Sequence, residues 1–200
     1  MKIVSISGSP RKNGNTANIL NTIQKCISKT HEMDILYLTD YNINGCLGCS
    51  QCQRIFDKIG CVQKDDTIML LNHLIKADII LYGTPLYGHS YSGQLKVFMD
   101  RHVALFKFVC GENKSVDKMK VLSFLENKPV GLIVSCQGPQ NNNTELIKTQ
   151  FEKFCESSLA TCLGKYVFPF CDAHSNNTEY AKETLTTIIE DIEKNFQKNN

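Results

Sequence analysis

Residues 2–16 read KIVSISGSPRKNGNT, an apolar run followed by a polar, glycine-containing segment. Lys2–Ser7 is short and rich in β-branched residues, which is typical of a strand. Gly8 and Gly14 then permit a tight turn of the backbone. Thr16–Ser28 places its apolar residues on one face of a helix. The stretch therefore predicts a first strand, a polar loop and a first helix, in that order.

The loop between strand and helix has the composition of a phosphate site. Ser7, Ser9, Asn15 and Thr16 offer hydroxyls and amides, and Arg11 adds a fork of donors. The N-terminus of the helix adds positive potential. A turn capped by the same residue types, without any ligand, is the alternative. The loop has neither the Gly-Lys-Ser/Thr ending of a Walker loop nor G-x-G-x-x-G, which disfavours an ordinary ATPase and the common dinucleotide fold.

Strand-like and helix-like segments alternate along the rest of the chain. The predicted strands are Lys2–Ser7, Met33–Leu38, Ala77–Tyr82, Val130–Ser135 and Tyr166–Phe170; the predicted helices are Thr16–Ser28, Asp65–Lys76, one capped by Ser92, Leu146–Cys155 and Ala181–Phe196. Five strands interleaved with five helices predict an α/β fold, with a parallel sheet covered by helices on both faces. A length of 200 residues fits one domain, residues 1–200.

Two long segments show no such periodicity. Residues 39–64 form a cysteine-rich insertion loop, and Lys107–Lys128 is predicted to be irregular as well. Irregular stretches of this length in a compact domain are usually functional or mobile. We expect the second to serve as a lid or as a contact between subunits.

Composition excludes several classes of protein. The chain has 22 Lys and Arg against 20 Asp and Glu, a net charge of +2, and no basic stripe, so we expect no nucleic-acid partner. It has no polybasic patch and no apolar run of about 18 residues, so we expect no membrane association. The first residues are too short an apolar run for an export signal. The expected location is the cytoplasm, where most of the ten cysteines are reduced.

Two blocks of sequence resemble a known family. Residues 8–16 (GSPRKNGNT) closely resemble the FMN-phosphate loop of the NAD(P)H-dependent FMN reductase branch of the flavodoxin-like superfamily. Residues 84–101 (TPLYGHSYSGQLKVFMDR) resemble the segment after the third strand in the same family. The resemblance covers most of residues 1–101. It implies a flavodoxin-like three-layer sandwich with strand order 2-1-3-4-5 and FMN at the carboxyl ends of the strands.

The resemblance also implies which residues bind FMN, in three loops. The phosphate loop supplies Ser7, Ser9, Arg11, Asn15 and Thr16; the second loop supplies Pro85, Leu86, Tyr87 and Gly88; the third supplies Ser135, Cys136 and Gly138. Hydride chemistry in this family takes place at the flavin N5, so no catalytic side chain is expected. His89 is either a proton donor to a substrate or an ordinary structural histidine.

Four clustered cysteines form the second candidate site. Cys46, Cys49 and Cys52 make a C-x2-C-x2-C run, and Cys61 follows after eight more residues. Three thiolates at this spacing can surround one corner of a cluster, and a fourth completes the ligation. The run resembles the compact motif of the iron-sulfur flavoproteins, in which the last gap is shorter. A [4Fe-4S] cluster, free or redox-active thiols, and zinc remain the alternatives.

Three functions follow from these sites. The first is an FMN-dependent oxidoreductase that takes electrons from NAD(P)H and passes them to a quinone, azo, nitro or flavin acceptor. The alternative is an iron-sulfur flavoprotein that carries electrons from a ferredoxin-type partner through a [4Fe-4S] cluster and FMN. The third is a flavin-binding sensor whose thiols respond to oxidation. The resemblance further implies a homodimer or homotetramer.

Overall fold

The apolar runs of the sequence form a parallel sheet in the computed structural model, which describes residues 1–109, 120–171 and 178–198. The strands of the described residues are β1 (Lys2–Ser7), β2 (Glu32–Tyr37), β3 (Ile79–Pro85), β4 (Phe106–Val109), β5 (Lys120–Ser123), β6 (Pro129–Ser135) and β7 (Thr161–Phe168). Five of them make one sheet in the order β2-β1-β3-β6-β7, and every pair is parallel. When only the five strands of this sheet are numbered, β6 and β7 become the fourth and fifth, which confirms the predicted order 2-1-3-4-5.

Helices cover both faces of the sheet. They are α1 (Asn15–Ile27), α2 (Thr67–Lys76), α3 (Gly93–Asp100), α4 (Glu145–Ser158) and α5 (Thr178–Lys198). The core on one face contains α1 and α5, and the core on the other contains α2, α3 and α4. Side chains alternate between these cores along each strand, as the two-residue period requires. On β3, for example, Ile79 and Leu81 enter the first core, whereas Ile80 and Tyr82 enter the second.

Some predicted boundaries differ from those observed. The last strand begins at Thr161, five residues before the predicted start, because polar and small residues near Gly164 hide its pattern while its backbone pairs with β6. Helix α2 begins at Thr67 rather than Asp65. The carboxylates of Asp65 and Asp66 instead accept hydrogen bonds from Asn44 and Asn42 of the preceding loop.

The prediction that Lys107–Lys128 is irregular is wrong in part. Strands β4 and β5 pair antiparallel within and beside this segment, from Phe106 opposite Ser123 to Val109 opposite Lys120. Each strand has only four residues and carries lysine, so neither stands out as an apolar run. Residues 110–119, which include Cys110, lie outside the described residues.

Residues 39–64 contain two short 3-10 turns, Leu38–Asp40 at the start and Gln51–Arg54, and otherwise neither helix nor strand. A third 3-10 turn, Arg101–Leu105, leads from α3 into β4. Among the described helices, none is both long enough and apolar enough to cross a bilayer.

Candidate functional site

The loop after β1 is held against the sheet by close backbone contacts. The Gly8 amide donates to the carbonyl of Gly83 at 2.8 Å, and the Ser92 hydroxyl donates to the Gly8 carbonyl at 2.5 Å. A Cβ at position 8 would lie 2.5 Å from Cβ of Leu95, so only glycine fits. The Ser9 hydroxyl accepts from the Arg11 amide at 3.2 Å, which tightens the turn. The sequence folds here so that residues 9–14 lie at the carboxyl edge of the sheet.

The N-terminus of α1 opens toward this loop without a side-chain cap. Gly14 is the N-cap residue, and the first turn has no acidic residue. The uncapped N–H groups and the helix dipole favour an anion at this position. The Asn15 amide donates to the carbonyl of Cys171 at 2.8 Å, and the hydroxyls of Thr16 and Ser135 lie 2.7 Å apart. These bonds join the helix start to the ends of β6 and β7.

The loop after β3 forms the second wall. The Leu86 amide donates to the Ser135 carbonyl at 2.8 Å, and Tyr87 and Ser90 close a tight turn with two reciprocal backbone bonds. Gly88 and His89 between them have positive φ, 54° and 61°. This turn leaves the Tyr87 side chain 49% exposed. The sequence therefore places an aromatic face at the edge of the site.

These loops enclose one cavity of about 260 Å³. It is lined by nine of the residues predicted to bind FMN, namely Ser9, Arg11, Asn15, Thr16, Pro85, Leu86, Tyr87, Ser135 and Cys136. Three predicted residues, Ser7, Gly88 and Gly138, lie beside the cavity along the chain but do not line it. Gln137 and Cys171 line it as well. Sequence reasoning missed Cys171 because it comes from the far end of β7 and belongs to no motif.

Cys136 and His89 are two side chains at or beside this cavity whose proton chemistry the structure describes. Burial, with a smaller contribution from Cys171, raises the pKa of Cys136 to about 11, so its thiol is protonated at neutral pH. The His89 ring lies outside the lining, with Nδ1 3.1 Å from the carbonyl oxygen of Asn143. That contact favours the structural role for His89.

The donor set of the cavity fits FMN. Two hydroxyls, an amide, a guanidinium and an uncapped helix N-terminus suit a phosphate at one end. Apolar and aromatic side chains from Pro85 to Tyr87 suit a flat ring at the other. An anion with an attached aromatic ring matches both ends.

A second cavity, of about 510 Å³, collects the four clustered cysteines. Cys46, Cys49, Cys52 and Cys61 all line it, and Leu47 at its mouth is 67% exposed. Within the described part of the chain, no three metal-binding side chains converge closely enough to hold a single ion. A cubane cluster takes one thiolate at each iron, so its ligands surround a volume instead of meeting at a point. The four thiols line one cavity, so the residue types present there fit a four-cysteine cluster.

A buried ion pair forms the back of this second cavity. The Arg101 guanidinium donates to both carboxylate oxygens of Asp65, at 2.6 and 3.2 Å, and the two side chains are 2% and 0% exposed. Burial alone raises the pKa of Asp65, but hydrogen bonds from Arg101, Asn44 and Thr67 outweigh it and hold the pKa well below its usual range. Asp65 is thus an anion at neutral pH.

Lys107 and Gln53 support the same region. The Lys107 ammonium is 1% exposed and donates to the carbonyls of Cys52 and Ala104 at 2.8 and 3.0 Å. The Gln53 amide donates to the carbonyls of Val103 and Phe106, at 2.9 Å each. Neither residue belongs to a recognisable motif. Gln53 follows Cys52 directly in the sequence, but its contacts with Val103 and Phe106 arise only through the fold, as does the contact of Lys107 with Cys52.

The chain matches proteins of known family. Residues 1–150 match the model of the NADPH-dependent FMN reductase family. An iron-sulfur flavoprotein of Archaeoglobus fulgidus is 40% identical over 102 residues, 50% of this chain and 48% of that one. Another, of Methanocaldococcus jannaschii, is 32% identical over 146 residues, 73% of this chain and 66% of that one. The chain spans about half the length of most of the curated relatives it matches.

Solved structures share the fold. The azoreductase of Bacillus anthracis str. Sterne superposes with a TM-score of 0.64 at 13% identity, covering 98% of each chain. At that identity the likeness concerns the architecture of the sheet and helices alone. The match of residues 1–150, three quarters of the sequence, shows the family: the chain belongs to the NADPH-dependent FMN reductase family.

Proposed function

We propose that the chain binds FMN in the 260 Å³ cavity and passes electrons from NAD(P)H to a quinone-, azo-, nitro- or flavin-type acceptor. The observation that carries this proposal is the convergence of three loops, after β1, β3 and β6, on one cavity at the carboxyl edge of the sheet. This is where parallel α/β sheets bind their ligands. The family supports FMN and NAD(P)H as the reacting pair.

Bound FMN supplies the hydride-transfer chemistry, and the residues of the chain bind and orient it. Ser9, Arg11, Asn15 and Thr16 hold the phosphate with charge-assisted bonds. The Leu86 backbone and the Tyr87 ring fix the position of the isoalloxazine. The exposed part of Tyr87 offers a flat surface for an aromatic acceptor.

A second function is favoured by the thiol cavity. This 510 Å³ cavity is lined by Cys46, Cys49, Cys52 and Cys61. Six curated relatives of the chain are named iron-sulfur flavoproteins. We infer that these four thiolates hold a [4Fe-4S] cluster, which adds transfer of single electrons from a ferredoxin-type donor. A homodimer or homotetramer remains the prediction for the assembled state.

The absorption spectrum of protein purified without oxygen tests both proposals, with iron and acid-labile sulfide measured on the same sample. FMN alone gives a two-band flavin spectrum. FMN with the cluster adds a broad absorbance, with iron and sulfide near four per chain, as four-cysteine ligation of a cubane requires. A chain that shows no flavin, even after FMN is added, contradicts the first proposal.

Cys49→Ser separates the two functions. The reductase keeps its turnover of NAD(P)H with a quinone in this variant, because Cys49 lies outside the FMN cavity. Electron transfer from a reduced ferredoxin falls sharply, because the cluster loses a ligand. Cys26→Ser is the matched control, because Cys26 is also exposed but lies on α1, and this variant changes neither activity. Loss of NAD(P)H turnover in Cys49→Ser alone would contradict this division of roles.

A further inference from the structure

The Arg101–Asp65 ion pair is buried where packing alone does not explain it. Removing two charges from water carries a desolvation cost that their mutual attraction barely offsets. Replacing such a pair with apolar side chains of similar volume is often neutral or stabilising. Both side chains are almost completely inaccessible to solvent. The pair lies outside the FMN cavity, and the Arg101 side chain lines the thiol cavity. The position of the pair therefore suggests that it acts on the cysteines that line this cavity.

Arg101 uses its remaining donors on the cysteine loop. One terminal nitrogen, Nη1, also donates to the carbonyl of Asn44 at 2.6 Å, just before the C-x2-C-x2-C run. The other, Nη2, donates to Sγ of Cys61 at 3.3 Å. Asp65 completes the arrangement, because its carboxylate accepts from the Asn44 amide at 3.0 Å. One planar guanidinium thus ties the entrance of the cysteine run to the distant Cys61.

Cys61 needs such a support more than Cys52 does. Cys52 is buried on the 3-10 turn Gln51–Arg54, which Gln53 and Lys107 fasten to the body of the chain. Cys61 follows Cys52 after eight intervening residues, in a segment without helix or strand. The local chain therefore does not set the position of its sulfur. Within the described residues, the side-chain hydrogen bond recorded for that sulfur comes from Arg101.

We propose that Arg101, oriented by Asp65, is the positioning residue that presents Cys61 as the fourth thiolate of the [4Fe-4S] site. The inference rests on the proposed cluster and names the residue that completes it. Hydrogen bonds to ligand sulfurs and nearby positive charge also raise the reduction potential of such sites. Arg101 supplies such a hydrogen bond to Cys61, while Asp65 balances its charge, and the buried Lys107 ammonium lies against the Cys52 carbonyl.

The test uses the full chain after anaerobic reconstitution with iron and sulfide. The double variant Arg101→Gln/Asp65→Asn removes both charges and leaves no unpaired ion in the interior. Arg101→Lys keeps the charge but loses the fork that reaches Asp65 and Cys61 together. Lys96→Gln is the control, since Lys96 is an exposed cation of α3 that pairs with Asp100. Three quantities are measured: iron per chain, the rate of iron release to a chelator, and the midpoint potential.

The wild type and Lys96→Gln are expected to hold iron near four per chain and to release it at the same rate. The double variant and Arg101→Lys are expected to release iron about 10-fold faster, the usual scale for a lost partner of a metal ligand. The midpoint potential of the double variant becomes more negative. Unchanged binding of FMN in these variants shows that the rest of the fold is intact.

Two results overturn the proposal, and they are distinguishable. If the wild type holds iron and both variants match it in release rate and potential, Arg101 has no positioning role and the cluster assignment stands. If the wild type holds no iron after reconstitution, the cluster assignment fails, and this inference fails with it. Arg101→Lys retains a buried charge pair, so it decides the question even if the double variant does not fold.

Discussion

Two polar residues at the start of α1 connect parts of the chain that are far apart in sequence. Thr16 bonds to Ser135 across 119 positions, and Asn15 bonds to the Cys171 carbonyl across 156. Both side chains also line the candidate FMN cavity. A bound phosphate at this place would therefore draw on residues already held by the fold. Arg11 differs from them, because its side chain is exposed and reaches the same cavity from the loop.

Arg11→Ala is expected to weaken FMN binding by about 1.5–3 kcal/mol, because hydrogen bonds to a charged group contribute on that scale. Quenching of FMN fluorescence on titration with the protein measures the change. Lys12→Ala is the matched control. Lys12 is the neighbouring cation but pairs with Asp40 instead of lining the cavity, and its removal is expected to leave FMN affinity nearly unchanged. Equal losses in both variants would show a general charge effect and contradict the phosphate assignment.

At the scale of elements, the β1–α1 loop packs closely against the N-terminus of α3. The Ser92 hydroxyl caps α3 by accepting from the Leu95 amide at 3.2 Å and also donates to the Gly8 carbonyl. The loop and the helix N-terminus are thus joined by a single side chain. This contact requires a residue without Cβ at position 8.

Gly8→Ala is expected to lower the free energy of unfolding by about 1–3 kcal/mol, the usual cost of forcing a group into a filled space. Urea denaturation followed by circular dichroism measures it. Gly93→Ala is the control, because a Cβ at position 93 meets no atom within 4 Å, and alanine suits a helix better than glycine does. A Gly8→Ala protein as stable as the wild type would mean that the loop can move away from Leu95.

At the scale of the whole molecule, a buried aromatic cluster joins the sheet to two helices and to the turn after α3. His102 lies against the rings of Tyr82, Phe98 and Phe154. Its Nδ1 lies 2.9 Å from the Phe98 carbonyl, and its Nε2 lies 3.0 Å from the Tyr82 hydroxyl. A neutral ring satisfies both contacts when Nδ1 carries the proton and Nε2 accepts from tyrosine. This cluster therefore depends on an uncharged histidine.

Burial lowers the pKa of His102 to about 4, below its ordinary value of 6.5. Between these two pH values the unfolded chain binds a proton that the folded chain does not. The free energy of unfolding is therefore expected to fall as the pH falls from 6.5 to 4, by up to about 3 kcal/mol from this group. Urea denaturation at several pH values measures the slope. His102→Asn is expected to be less stable at pH 7 and to lose most of this dependence; an unchanged slope would contradict the assignment.

The alternation of strand-like and helix-like segments predicted a parallel sheet with helices on both faces, and the family resemblance implied the strand order and most of the residues that line the 260 Å³ cavity. Periodic apolar runs and turn residues act locally, and in a parallel fold every strand ends at the same edge, so the loops that follow must meet there. The tertiary structure alone decided that Cys171 lines this cavity, that β4 pairs with β5, and that Arg101 reaches Cys61. These contacts join residues that lie many positions apart in the sequence. They form because the packing of whole helices and strands brings the side chains together. The spacing of residues along the chain does not encode the distance between two side chains in the folded structure.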